Sequence, residues 1–311
     1  MTAIAACRRC GTEPLENARF CHGCGASVKD GRRRVMARPR TAMHRAVMFR
    51  PRRRLRPLCR RGAIRSTAAV LVVASFCMLV SITNEKSASA SMNIAGMGVF
   101  LDPGHNGVED SPKNRRVPNG RGGTNACAGT GTATNDGYPE HSFNWDVVLR
   151  IRDALTQMGV RTELSRDNDN ASAPCNDQRA AMANAMRPDA IVSIHADNDS
   201  PSGRGFHVNY SSPPLNDAQA GPAVQLATIM RDSLVASGVQ KSTYKGSDGL
   251  YGRADLAVLN LAQYPAILVE LGNMKNGDEA AQMESADGRA KYAAAVTQGI
   301  VTYLSGKAPA S

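Results

Sequence analysis

The sequence predicts an α/β domain in which a mostly parallel or mixed, twisted sheet is flanked by helices. From about residue 94 onward, short apolar segments alternate with longer amphipathic segments, which is typical of strands alternating with helices. Two of the apolar segments carry no polar alternation, as in strands that are covered on both faces. The alternating region spans about 220 residues, the size of one domain. Residues 91–311 are therefore expected to form a single catalytic domain.

Five segments are predicted to be strands. In chain order, they cover residues 99–101, 160–164, 190–194, 206–210 and 266–269. The third is apolar except for Ser193 and the fifth is continuously apolar, so both are expected in the buried centre of the sheet. The fourth alternates between apolar and polar residues, which indicates a strand at the edge of the sheet.

Four segments carry apolar residues three or four positions apart, which predicts helices. In chain order, they cover residues 143–158, 177–186, 218–235 and 278–304. Gly159 ends the first of these helices, and Pro188 closes the second. The sequence contains no internal repeat, in agreement with a single domain.

Charge is distributed unevenly along the chain. Residues 1–66 contain 18 Lys+Arg and 3 Asp+Glu, whereas the remaining residues contain 20 Lys+Arg and 24 Asp+Glu. The formal net charge of +11 therefore comes from the segment that precedes the predicted domain. Because the domain itself is mildly acidic, nucleic acid is not expected to be its partner.

An uncharged apolar run lies between the basic segment and the domain, at residues 68–82. Three arginines precede it, and Ala88-Ser89-Ala90 fits a cleavage pattern of small residues. The run is shorter than the roughly 20 residues of a membrane span, and a buried core helix is disfavoured by the flanking arginines. Residues 67–90 are therefore predicted to be a signal peptide, or a membrane anchor where cleavage fails. The domain is expected to be an exported monomer of the periplasm, the cell wall or the medium.

Paired Cys-x-x-Cys turns occur near the amino terminus, each followed by glycine. Four thiolates can close a tetrahedral structural zinc site; they belong to Cys7, Cys10, Cys21 and Cys24. Residues 1–28 resemble the small zinc-ribbon modules of bacterial regulatory proteins, and residues 29–66 are predicted to be a disordered basic linker. An alternative start downstream, for example at Met36, would remove the ribbon from the product.

Cys127 and Cys175 are the two cysteines of the predicted exported domain. Since exported proteins fold in an oxidising environment, we expect a disulfide between them. Two free buried thiols are the alternative. In the chain-entropy model, closing this loop would stabilise the folded domain by up to about 4 kcal/mol.

Four short motifs carry the residues from which the chemistry is predicted. His105 follows the first strand and Glu140 precedes the first long helix, while His195 and Glu270 end two buried strands. Ligands in open α/β sheets gather at the carboxyl ends of strands, so these side chains are expected to converge. Two histidines and a carboxylate can bind zinc and leave a position for water. A second carboxylate can take the proton of that water, so the motifs predict a zinc hydrolase of acyl bonds.

The same motifs resemble those of the zinc-dependent N-acetylmuramoyl-L-alanine amidases, in order and in spacing, over residues 97–305. They are Asp102-Pro103-Gly104-His105, Glu140 ahead of its helix, Ser193-Ile194-His195-Ala196-Asp197, and Val269-Glu270. The resemblance implies that the first three motifs bind one catalytic zinc and that Glu270 is the catalytic carboxylate. It also implies cleavage of the bond between the lactyl group of muramic acid and the first L-alanine of the peptidoglycan stem. Arg179 with Ala183-Asn184 matches a helix pattern of the family as well.

Two other functions stay open at this point. A zinc carboxypeptidase that shortens stem peptides could use the same metal ligands. An inactive wall-binding protein would keep the fold without turnover, although the presence of both His105 and Glu270 disfavours it. The long loop over residues 106–139, rich in Gly, Asn and Thr, is expected to shape the substrate groove.

Overall fold

The computed structural model describes residues 93–108 and 115–307, which are built around a six-stranded sheet. The order across this sheet is β4-β1-β5-β8-β6-β7. Its strands are β1 (Gly98–Pro103), β4 (Arg161–Leu164), β5 (Ala190–Asp197), β6 (His207–Ser211), β7 (Leu250–Arg253) and β8 (Ala266–Asn273). All neighbours pair in parallel except β6 and β8. The mostly parallel, mixed sheet expected from the sequence is therefore confirmed.

Helices cover the two faces of this sheet unequally. They are α1 (Glu140–Gln157), α2 (Asn176–Met186), α3 (Asp217–Ala220), α4 (Pro222–Ala236), α5 (Ala257–Asn260), α6 (Gly277–Glu284) and α7 (Ala286–Lys307). The main core lies on the face covered by α1, α4 and α7, where Leu101, Ile194 and Val269 are fully buried. A smaller cluster with Phe100 and Leu268 lies on the other face, under α2 and α5. Because successive side chains of a strand alternate between faces, Asp102, His195 and Glu270 point to this thinner side.

The sequence prediction of an edge strand over residues 206–210 is wrong, because β6 lies between β8 and β7. The apolar and polar alternation has another cause. Phe206 and Val208 pack into the main core, whereas His207 and Asn209 are fully buried on the thinner face beside the candidate site. The polar side of this strand thus faces a buried polar region rather than solvent.

Two predicted helices are each divided in the structure. The segment predicted as one helix over residues 218–235 forms α3 and α4, with the break at Gly221-Pro222, because proline cannot donate the next helical hydrogen bond. The segment over residues 278–304 is divided at Ser285 into α6 and α7. Three further elements carry too few periodic residues to be recognised: β7, α5 and a hairpin of β2 (Arg116–Pro118) and β3 (Thr124–Ala126).

Several sequence predictions concern residues outside those that the structure describes. They are the zinc ribbon with Cys7, Cys10, Cys21 and Cys24, the basic linker, and the apolar run within residues 67–90. Among the helices of residues 93–108 and 115–307, none has the length and apolarity to span a membrane.

Candidate metal centre and active site

Three side chains from separate elements meet at the carboxyl edge of the sheet. They are His105 just after β1, Glu140 at the first position of α1, and His195 within β5, and their ligand atoms all lie within 4.8 Å of one another. Both histidines approach the same carboxylate oxygen. The Nε2 atom of His105 lies 3.2 Å from Oε1 of Glu140, and Nδ1 of His195 lies 3.1 Å from it.

The donor set fits a catalytic zinc ion. Two imidazole nitrogens and one carboxylate oxygen are ligands that zinc accepts, and a three-residue set leaves the fourth tetrahedral position open. Ligands at 2.0–2.1 Å around a tetrahedral ion are about 3.3 Å apart. The nitrogen–oxygen distances of 3.1 and 3.2 Å are close to that value. Two of the three ligand–ligand distances thus match those around one ion, and the two histidine nitrogens lie within 4.8 Å of each other.

His105 is held in an unusual backbone conformation. Its φ of 63° lies in the left-handed region, which a residue with a Cβ atom adopts only when its surroundings impose it. The Nδ1–H group of its ring donates to the Gly129 carbonyl, 2.9 Å away. This hydrogen bond leaves the lone pair on Nε2, the nitrogen that faces Glu140, as metal binding requires.

Glu140 is buried at the amino-terminal end of α1, where the helix dipole favours a negative charge. Its Oε2 accepts from the Thr132 amide at 3.0 Å, and its Oε1 accepts from the Ala196 amide at 3.2 Å. Burial raises the pKa of Glu140, but the adjacent His105 and His195 outweigh burial and hold that pKa well below its usual range. The carboxylate is therefore ionised and ready to bind a cation.

An irregularity in the sheet positions His195. The register between β5 and β8 shifts between His195 and Asp197, and within this irregularity the Ala196 amide donates to Oε1 of Glu140. Bulges of this kind re-aim a side chain at sheet ends. Gly104 completes the fit, because a Cβ atom at that position would overlap the imidazole ring of His195.

Glu270 stands beside the cluster in a row across three strands. It is the register partner of His195 on β5 and of His207 on β6, so the three side chains project from the same face. Its Oε2 is buried and makes no hydrogen bond to any part of the chain that the structure describes. Burial first, and then the nearby Glu140 and Asp197 carboxylates, raise the pKa of Glu270 well above its usual value. A carboxylate with a raised pKa suits proton transfer near neutral pH.

Asp197, His207 and Lys245 form a polar cluster beside Glu270. Lys245 binds Asp197 through Nζ at 2.7 Å, and Nε2 of His207 lies 3.8 Å from the same carboxylate. His207 is fully buried. Burial is the main reason that its pKa falls to about 4, so the ring is neutral around pH 7. Lys245 and Arg253 are the two cations whose charges act against the rise in the pKa of Glu270.

The remaining histidine of the domain is separate from the metal cluster. His141 follows Glu140 directly, but its Nδ1 contacts Oδ1 of Asp169 at 2.8 Å. Arg166 binds the same Asp169 oxygen at 2.9 Å and also donates to the His141 carbonyl. This buried network fixes the start of α1 and supplies no metal ligand.

A buried ion pair lies directly beneath the cluster. Nη1 of Arg179 binds Oδ1 of Asp102 at 2.6 Å, and both side chains are almost completely buried. Ser165 and Ser193 donate to the same carboxylate, each at 2.5 Å. Burial raises the pKa of Asp102, but Arg179 and the two hydroxyl groups outweigh it and lower that pKa to about 2.

Cys127 and Cys175 are joined by a disulfide, with their Cα atoms 4.5 Å apart. Both are almost completely buried, in a small cluster with Val117 that is separate from the main core. The bridge links the loop after β3 to the start of α2.

Several residues that support the site could not be recognised as such from the sequence. Asn144 donates to the Gly104 carbonyl and to Glu140, and only its position four residues after Glu140 on one helix hints at this. Gly129 and Thr132 contact the site through backbone atoms, which every residue type has, so their side chains give no sign of these contacts. The contacts do show that the later part of the long loop borders the site.

Comparison with known proteins gives a consistent result. A family model described as N-acetylmuramoyl-L-alanine amidase matches residues 99–302. The N-acetylmuramoyl-L-alanine amidase Rv3717 of Mycobacterium tuberculosis is 65% identical over 219 residues, which cover 70% of this chain and 91% of that protein.

Two solved structures match the same region of the chain. The crystal structure of the N-acetylmuramyl-L-alanine amidase Ami1 from Mycobacterium smegmatis has a TM-score of 0.68 and 63% identity, over 69% of this chain and 99% of that one. The apo form of Ami1 from Mycobacterium abscessus has a TM-score of 0.67 and 59% identity, over 68% of this chain and 99% of that one.

Proposed function

The chain belongs to the N-acetylmuramoyl-L-alanine amidase family, and from this premise we propose that it is a zinc-dependent hydrolase of peptidoglycan. Its substrate bond is the amide between the lactyl group of N-acetylmuramic acid and the L-alanine of the stem peptide. The observation that carries the zinc dependence is the convergence of His105, Glu140 and His195 within 4.8 Å. Its role in the cell is remodelling or turnover of the wall.

His105, Glu140 and His195 are the residues that would hold the metal. When bound, zinc supplies Lewis acidity to the substrate carbonyl and to the attacking water. Glu270 accepts a proton from that water as the new carbon–oxygen bond forms. It then delivers the proton to the alanine nitrogen as the carbon–nitrogen bond breaks. The raised pKa of Glu270 and its unpaired Oε2 support this role.

The alternatives are a zinc carboxypeptidase of stem peptides and an inactive wall-binding protein. Neither is favoured by any particular feature of the site. The intact set of metal ligands and the unpaired carboxylate oxygen beside it argue against loss of turnover.

Product analysis distinguishes these functions. The full-length protein is incubated with a muropeptide of defined structure, and the products are identified by mass spectrometry. We expect an intact stem peptide with a free L-alanine amino terminus, and a glycan whose lactyl carboxyl group is free. A stem shortened at its carboxyl end would identify a carboxypeptidase, and no product from a zinc-loaded protein would favour the binding protein.

The zinc assignment has its own test. Replacement of His105, Glu140 or His195 by Ala should lower both the zinc content and the rate of stem-peptide release, since three ligands hold the ion together. Retention of full zinc content by all three variants would show that the ion is bound elsewhere.

Export and a second metal site complete the proposal. A domain that acts on peptidoglycan must leave the cytoplasm, and residues 67–90 have the composition of a signal peptide or anchor. The four amino-terminal cysteines would hold a structural zinc ion. Metal analysis of the full chain should then give about two zinc ions, and Cys7→Ser with Cys10→Ser should reduce this to about one.

A further inference from the structure

The metal ligand His105 is held by two separate parts of the chain that one disulfide joins. We infer that the Cys127–Cys175 disulfide and Arg179 together position His105, and that they set the affinity of the site for zinc. This inference rests on the proposed zinc site. It assigns a role in metal binding to residues that are not themselves ligands.

The first part of the chain holds the ring of His105. Gly129 accepts from Nδ1 at 2.9 Å, and Gly129 lies only two residues after Cys127. This contact sets both the rotation of the imidazole and the nitrogen that carries its proton. Any movement of the loop at Cys127 is therefore transmitted to the metal-facing nitrogen.

The second part holds the backbone of His105. Nη2 of Arg179 donates to the His105 carbonyl at 2.8 Å, and Nη1 donates to the Pro103 carbonyl at 3.0 Å. Arg179 is in turn fixed to the residues around the disulfide. Its Nε donates to the Pro174 carbonyl at 2.9 Å, and its amide donates to the Cys175 carbonyl at 2.9 Å.

The disulfide joins the two segments that hold His105, namely the loop with Gly129 and the start of α2 with Arg179. Beside the S–S bond, the Asn176 amide donates to the Cys127 carbonyl at 2.8 Å. Apolar packing adds little, because the two cysteines share only a small cluster with Val117 and Ala128. Among the described residues, the covalent bond therefore ties the loop directly to α2, and this backbone hydrogen bond reinforces it.

The left-handed backbone of His105 explains why two supports are needed. Such a conformation is strained for a residue with a Cβ atom and persists only where the surroundings impose it. If the loop is released, His105 can relax its backbone and rotate its ring. Zinc binding would then also have to order His105. Part of the free energy of binding would be used for this, so zinc would bind more weakly.

The main test compares zinc affinities of the full chain. All proteins carry Ser in place of Cys7, Cys10, Cys21 and Cys24, so that only the site in the domain is measured. Zinc is titrated in competition with a chromogenic chelator. The Cys127→Ala/Cys175→Ala variant should bind zinc roughly 10–100-fold more weakly, the usual effect of removing a group that orients a metal ligand.

A destabilised control separates positioning from general loss of stability. Leu304→Ala opens a cavity in α7, within the main core, and so destabilises the folded domain. It should lower the unfolding temperature and leave the zinc affinity unchanged. If the cysteine variant behaves like this control, and binds zinc as tightly as the parent, the inference is wrong.

Arg179→Lys tests the same support with the disulfide intact. Lysine keeps a cation beside Asp102, but it lacks the fork that reaches Pro103 and His105 together. We expect weaker zinc binding and, in the zinc-free protein, a smaller Nδ1–H fraction of the His105 ring by imidazole ¹⁵N chemical shifts. An unchanged affinity together with an unchanged tautomer in this variant would overturn the inference. Failure of the parent itself to bind zinc would instead contradict the proposed function.

Discussion

Glu140 is buried and the nearby Glu270 is partly buried, yet their surroundings shift the two pKa values in opposite directions. Glu140 accepts two amide hydrogen bonds and faces two histidines, so its pKa is well below the usual range. Glu270 lacks such partners, and burial raises its pKa. Environments that separate two carboxyl groups in this way are typical of sites that divide electrostatic and proton-transfer roles between them.

Replacement of Glu270 by Gln should therefore abolish proton transfer without removing the metal. The amide keeps the shape of the carboxyl group but cannot accept the proton from water. We expect zinc content to stay near one per domain and the rate of stem-peptide release to fall by roughly 10²–10⁴-fold or more. Glu163→Gln, the same change at an exposed position of β4, serves as the control.

Two outcomes would contradict this division of roles. A Glu270→Gln variant that retains zinc and cleaves at the parent rate would mean that another group accepts the proton. Loss of zinc from this variant would mean that Glu270 is a ligand, and that the roles of the two carboxylates must be exchanged.

Gly131 leaves space that both Glu140 and His105 occupy. Its φ is 77°, and a Cβ atom there would lie 2.8 Å from Cδ2 of His105 and still closer to Oε2 of Glu140. Gly131→Ala should therefore displace both ligands and lower zinc affinity and activity together. Gly221→Ala, at the junction of α3 and α4 and away from the site, meets nothing within 4 Å and should have a much smaller effect. Equal zinc affinities for the two variants, measured by chelator competition, would refute this steric explanation.

At the scale of elements, the Asp102–Arg179 pair ties β1 to α2, and Ser193 adds β5 to the same network. Removing one partner of a buried pair leaves an uncompensated charge, so Asp102→Asn should cost about 3–5 kcal/mol at neutral pH. The network lies beneath His105 and His195. Its loss should affect the arrangement of the ligands as well as stability.

Acid should weaken this network in a defined pH range. The pKa of Asp102 is lowered from 3.8 to about 2, which corresponds to roughly 2 kcal/mol of stability. Because the pKa is lowered in the folded state, this contribution is complete above about pH 4 and is lost as the pH falls toward 2. The difference in unfolding free energy between the parent and Asp102→Asn should therefore narrow by roughly 2 kcal/mol between pH 5 and pH 2.

Denaturant unfolding at several pH values measures this difference. Asp153→Asn, an exposed position on α1, controls for the loss of a surface charge. A gap between the parent and Asp102→Asn that stays constant from pH 5 to pH 2 would show that Asp102 does not titrate in this range.

The elements differ in how far they could be predicted from sequence. The apolar residues of β1, β5 and β8 are buried and mark these strands clearly. The predicted strands end before β5 and β8 do, because His195 and Glu270 are polar residues within them. The order of the strands could not be read from periodicity. β6 resembled an edge strand because its polar residues face the buried polar region of the site. Functional polar residues interrupt the apolar pattern of a strand. The length of that strand and its position in the sheet are then harder to predict from the pattern.

The site itself was predictable where it depends on side chains. Motifs at element ends predict that three side chains converge, those of His105, Glu140 and His195. In the structure, their ligand atoms lie within 4.8 Å of one another. The supports were not predictable, because the Gly129 carbonyl and the Thr132 amide could belong to any residue type. Their positions follow from the path of the loop, which sequence periodicity does not describe.

At the scale of the whole molecule, the candidate metal centre connects elements that are distant in sequence. His105 follows β1, Glu140 begins α1 and His195 lies in β5, so these candidate ligands come from positions up to 90 residues apart in the chain. The three can meet only when the sheet and α1 are in place. An ion bound there would therefore favour the folded state over the unfolded chain, and metal binding and folding should be thermodynamically linked.

This linkage predicts that zinc raises the unfolding temperature of the domain. At a free zinc concentration 1,000 times the dissociation constant, binding stabilises the folded state by about 4 kcal/mol. For a domain of this size, that corresponds to a rise of roughly 10 °C in the unfolding temperature. Differential scanning fluorimetry with and without zinc, in the background that lacks the four amino-terminal cysteines, measures the rise. Glu270→Gln should show the full rise and His195→Ala little of it, because only the second variant loses a proposed ligand. An equal rise in both variants would place the stabilising ion outside this site.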